Sequence, residues 1–103
     1  MKKLLVGLLA CGLAVAHASD AGADKAKAGV ACAVCHGPLG LSMQPNVPNL
    51  AGQQLFYLVE QLRNYRSGKR HDEVMNVIAK PLTDREIDAL AEWYASLKIK
   101  VEE

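Results

Sequence analysis

The chain is short of large rings. One Trp, one Phe and three Tyr are spread over 103 residues, so aromatic side chains cannot supply much of a hydrophobic core. A domain this small buries a modest share of its surface on folding. Something besides side chains must therefore add apolar contact. Cysteine is also sparse, with three in all. Neither charge sign dominates, since twelve basic residues face eleven acidic ones. That balance argues against nucleic acid or an anionic membrane surface as the main partner. No segment alternates like a β-strand, and there is no internal repeat or low-complexity tract. The longest apolar run, near the start, is too short for a permanent membrane anchor.

Against that background Cys32-Ala33-Val34-Cys35-His36 stands out. A Cys-x-x-Cys-His run is the attachment signature of a c-type haem. Two thiols on one side of a short turn can add to the two vinyl groups of one porphyrin, while the next imidazole faces the iron. The same Cys-x-x-Cys spacing serves redox dithiols and zinc knuckles. Here no βαβ pattern and no second pair of ligands accompanies it, and there is no second Cys-x-x-Cys-His. A buried porphyrin also supplies the apolar surface that the composition lacks.

The first eighteen residues read as an export signal. Met1-Lys2-Lys3 is a basic start, Leu4 to Val15 is apolar apart from Gly7 and Gly12, and Ala16-His17-Ala18 gives a small-x-small cleavage site. Cleavage there leaves one domain, residues 19–103, with ten basic and eleven acidic residues. Export suits the motif, because bacterial c-type haem is attached outside the cytoplasm. The expected location is the periplasm. Cys11 leaves with the signal, so no cysteine remains for a separate disulfide. The rival is a lipoprotein signal, Leu8-Leu9-Ala10-Cys11, with a lipidated Cys11 at the mature start.

Periodicity gives an all-α domain of three main helices plus a short one. Asp20 to Ala33 reads as a first helix running into the motif. Residues 36–53 form a loop rich in Gly and Pro. Gln54 to Ser67 repeats Leu55, Leu58, Val59, Leu62 and Tyr65 at helical spacing and stops at Gly68. Glu73 to Ala79 holds one or two turns before Pro81. Thr83-Asp84-Arg85-Glu86 has the form of a capping box and opens a last helix with Ile87, Leu90, Ala91, Tyr94 and Leu97 inward.

Taken in order, Cys32 to Gly37, Pro48-Asn49-Leu50-Ala51-Gly52-Gln53, Tyr65-Arg66-Ser67-Gly68, Val74-Met75 and Leu90 to Leu97 resemble the class I cytochromes c. The similarity covers Lys27 to about Leu97 and is strongest to single domains of the bacterial cytochrome c4 type and their monohaem relatives. Dihaem members carry two such domains, whereas this chain has one attachment motif. The resemblance implies a small helical fold wrapped around one haem c, attached through Cys32 and Cys35.

His36 is the proximal iron ligand by position. Its other ring nitrogen needs an acceptor to fix the tautomer. In the family that acceptor is the proline carbonyl of a Pro-x-Leu-x-Gly loop, which the resemblance carries onto Pro48. The sixth-ligand candidates are Met43, Met75 and His71. Met75 lies on a segment able to return over the opposite haem face, and it matches the family's distal methionine. Met43 is only seven residues from His36, and His71 sits in a polar run. The expected metal ligands are thus His36 and Met75. Arg63, Arg66, Lys69 and Arg70 form a basic cluster at a helix C-terminus, favourable there in its own right. Arg66 is the strongest of the four for a further role. Trp93 and Tyr94 read as core packing.

His/Met ligation raises the reduction potential relative to two imidazoles and fills both axial positions. That fits an exported electron carrier, not an enzyme, with no catalytic residue. The expectation is a monomer that docks weakly and briefly with redox protein donors and acceptors, with no nucleic acid and no transmembrane segment in the mature form. The alternatives are a haem-based sensor or small peroxidase with a dissociable sixth ligand, and a haem subunit of a larger dehydrogenase or oxidase.

Overall fold

A computed structural model describes residues 2–7, 10–12 and 28–103. The cleavage sequence Ala16-His17-Ala18 and residues 20–27 of the expected first helix lie outside the described residues. Among those described, every regular element is helical, and no helix is long and apolar enough to cross a membrane.

A π-helical turn, Ala28–Cys32, runs straight into α1, Ala33–His36. The attachment motif is therefore itself helical, where the first helix was expected to reach only Ala33. α1 ends at Gly37, whose N–H closes onto Ala33 O at φ 85°. An added Cβ at Gly37 would run into the carbonyl of Leu41, so glycine alone suits this turn.

α2, Leu55–Ser67, begins after Gln54 and stops at Gly68, which takes a left-handed conformation and returns its N–H to Tyr65 O. This is the glycine stop read from the sequence. α3, Met75–Ala79, is a short helix. α4, Asp84–Ser96, opens on Thr83 with both halves of the capping box present. Thr83 Oγ1 accepts from Glu86 N at 3.1 Å, and Glu86 Oε1 accepts from Thr83 N at 3.3 Å.

α2 packs against α3 and α4. Their shared core holds Leu58, Ala79, Leu82, Ile87, Leu90, Ala91 and Tyr94, together with Ala28 from the π turn. Leu55, Val59, Leu62 and Tyr65 complete the inner face of α2 as half-buried partners. Leu97, expected on the inner face of α4, is instead its extended C-cap and packs at the edge of the core. Arg66 fastens α2 to the start of α4. Its guanidinium donates to Leu82 O at 3.0 Å and to Asp84 Oδ1 at 2.6 Å.

Candidate functional site

Cys32 is the last residue of the π turn and Cys35 lies within α1. Both are half-buried and neither is in a disulfide. His36, next in line, is 7% exposed. Its Nδ1 lies 2.8 Å from the carbonyl oxygen of Pro48. A carbonyl only accepts, so Nδ1 carries the proton of this bond, and in the neutral imidazole the lone pair is then on Nε2. The structure thus brings Cys32, Cys35, His36 and Pro48 together.

The loop that returns Pro48 to His36 is pinned at several points. Gly40 O accepts from both Leu50 N, at 2.8 Å, and Ala51 N, at 3.0 Å. Ser42 reaches both sides: its Oγ donates to Cys35 O at 3.3 Å, while its N–H donates to Asn49 Oδ1 at 2.7 Å. Gln53 Nε2 donates to Asn49 O. Gly52 N–H donates to Tyr94 O at 2.9 Å, which ties the loop to the last turn of α4. Gly40 takes φ 73°, and a Cβ there would stand 2.8 Å from both Ala51 N and the Tyr94 ring.

Tyr94 packs in the core, as its helical spacing implies. Burial pushes its hydroxyl well above the ordinary value of 10.0, and charge and hydrogen-bond interactions with Cys32 push the same way. The sequence places Tyr94 in the core, where the structure has it. The roles of Ser42 and Asn49 were missed; Asn49 directly follows Pro48, and Ser42 lies six residues before it.

Met75 belongs to another element. It opens α3 and is half-buried. Met43 is 94% exposed, and His71 is exposed. Apolar side chains stand exposed along both segments: Leu39 and Leu41 after His36, and Val74, Val77 and Ile78 around Met75.

This donor set fits a covalently attached haem. Two thiols three residues apart precede a buried imidazole with Nδ1 engaged and Nε2 left for a metal, and exposed apolar side chains adjoin both candidate axial residues. Of the basic cluster, Arg66 is held by Leu82 and Asp84 as described. Arg63 pairs with Asp88 at 3.7 Å, and Arg70 lies over the Tyr65 ring and donates to Gln61 Oε1. Most of that cluster is thus engaged within the fold.

The sequence profile of the cytochrome c family matches residues 19–98. Cytochrome c4 of Pseudomonas aeruginosa is 44% identical over 98% of this chain and 51% of its own length. Cytochrome c-554(548) of Halomonas halodenitrificans is 38% identical over 77% of this chain and 98% of its own. Among solved structures, cytochrome c4 of Acidithiobacillus ferrooxidans superposes with a TM-score of 0.70 at 33% identity, covering 77% of this chain and 50% of that one. The chain therefore spans about half the length of the cytochrome c4 relatives it matches.

Proposed function

The chain belongs to the cytochrome c family, and on that footing we propose that it carries single electrons between larger redox proteins in the periplasm. Cys32 and Cys35 would hold one haem c covalently, with His36 and Met75 as the residues that would ligate its iron. Bound haem supplies one reversible one-electron change at its iron.

The observation that carries this reading is the bond between His36 Nδ1 and Pro48 O. It orients the imidazole, leaves Nε2 as the donor and raises its basicity. The pinned loop keeps that carbonyl in place, so the ligand moves little when the iron changes charge. The Met75 thioether is a soft, weak donor that favours the ferrous state and so raises the potential. Held by both His36 and Met75, a bound iron would offer oxygen and peroxide no open site. That supports a carrier over a sensor or peroxidase.

Residues 28–59 contain no Asp, Glu, Lys or Arg, although charged residues make up 22% of the chain. The motif lies within this stretch. Val30, Val34 and Met43 are exposed there, and Gln44 Nε2 donates to Val34 O, which brings the segment after Met43 beside the cysteines. The docking face is accordingly neutral and apolar, and it suits a redox protein with an uncharged surface around its own cofactor. A small patch of this kind gives brief, weak docking, as a monomeric shuttle needs. Export follows from residues 1–18, with cleavage after Ala18.

Haem retained by the wild-type chain after denaturation and acid extraction, and lost from Cys32→Ala with Cys35→Ala, is the expected result. Covalent haem persisting in the double variant would place the attachment site elsewhere.

A further inference from the structure

Asp72 and Asn76 brace the short helix that begins with Met75. Asp72 Oδ1 accepts from Val74 N at 2.9 Å and from Met75 N at 2.8 Å. Asn76 Oδ1 accepts in return from Asp72 N at 2.7 Å, and Asn76 N–H donates to Asp72 O at 3.0 Å. The pair forms a reciprocal box of the kind that secures helix N-termini. It is anchored from outside as well: Asn76 Nδ2 donates to Tyr65 O and to Arg70 O, both at 2.8 Å. Tyr65 belongs to α2, against which α3 packs. The backbone N–H of Met75 is thus held by the Asp72 side chain, and the backbone N–H of Asp72 is held in turn by Asn76, which grips α2.

That arrangement matters because α3 is five residues long. So short a helix does not hold itself together in water, and its first turn is its least supported part. Met75 sits in that first turn, so the position of its side chain depends on the box.

We propose that Asp72 and Asn76 are positioning residues that hold the Met75 thioether on the iron. This rests on the reading of Met75 as the sixth ligand. The function belongs to the acceptor atom of Asp72 and not to its charge, since an amide oxygen takes the same two N–H groups. Without the box, the closed arrangement loses ground to one in which Met75 has swung away and an outside ligand takes its place.

The test is competition by imidazole for the ferric protein, followed through loss of the far-red methionine–iron absorption band. Asp72→Ala and Asn76→Ala should each lower the half-displacement concentration roughly five- to tenfold, the scale of a lost helix cap. Asp72→Asn should stay near wild type. A global loss of stability alone does not produce this pattern, because it moves the unfolding midpoint without moving imidazole competition in the folded protein. Should Asp72→Ala fail to fold, Asn76→Ala carries the same expectation. If the alanine variants compete like wild type while Met75→Ala has lost the band, the bracing role is overturned and the ligand reading stands. If Met75→Ala keeps the band, the ligand reading fails and takes the bracing role with it.

Discussion

His36 Nδ1 and the carbonyl oxygen of Pro48 meet at 2.8 Å across twelve positions of the chain. The acceptor is backbone, so the bond depends on where the loop runs more than on the proline ring. Pro48→Ala should keep the bond and lose about 0.5–1 kcal/mol through a freer unfolded chain. Asn49→Ala removes the acceptor of Ser42 N–H and should cost about 1 kcal/mol, the net worth of an ordinary hydrogen bond, because water can reach the freed N–H. Denaturant titration of both variants checks the order.

Gly40 sits where the loop, Ala51 and the Tyr94 ring converge. Gly40→Ala meets a positive φ and two contacts of 2.8 Å together. It should destabilise the protein by on the order of 2–4 kcal/mol, well beyond Gly68→Ala, whose added Cβ meets nothing within 4 Å. Thermal unfolding of the two variants side by side measures the difference.

The Arg66–Asp84 bridge sets an acid limit. The hydrogen bond from Arg66, with its charge second, holds the Asp84 carboxyl below its ordinary value of 3.8. Because the folded value is the lower one, the bridge contributes fully above the unfolded value. That contribution fades as pH falls through the folded value, once the unfolded chain binds the proton more readily. The stability gap between wild type and Asp84→Asn should therefore be constant near neutrality and shrink below about pH 4. Unfolding curves across that range test it, and a gap that widens on acidification contradicts it.

A neutral docking face predicts weak salt dependence. Electron self-exchange between oxidised and reduced copies should change little between low and moderate ionic strength, since few charges need screening. Val34→Glu places like charges opposite each other in that encounter and should slow exchange on the order of tenfold, most strongly at low salt. NMR line broadening in mixed oxidation states reads both.

The features legible in the sequence are those whose cause is local. Thr83 and Glu86 make a four-residue box, Gly68 stops a helix at its own position, and Ile87, Leu90, Ala91 and Tyr94 keep helical spacing. Each needs only neighbours. The bonds that shape the site reach further. Arg66 finds Leu82 O sixteen positions away, Asn76 finds Tyr65 O eleven away, and Ser42 finds Cys35 O seven back. Each is a polar side chain meeting a backbone carbonyl, and composition does not say which carbonyl a folded loop will offer. The start of α3 shows the same limit. Helical residues were expected from Glu73, yet α3 begins at Met75, because Val77 N–H turns to Val74 O in place of Glu73 O. The Cys-x-x-Cys-His run was readable because covalent attachment constrains residue type and spacing together.

Absorption spectra of the exported protein, oxidised and reduced, with and without carbon monoxide, test the central claim most directly. The account predicts a low-spin c-type spectrum, a far-red methionine band in the ferric state that disappears in Met75→Ala, and no response of the reduced wild type to carbon monoxide. Ready carbon monoxide binding by the wild type would contradict it and make the iron an open, reactive site.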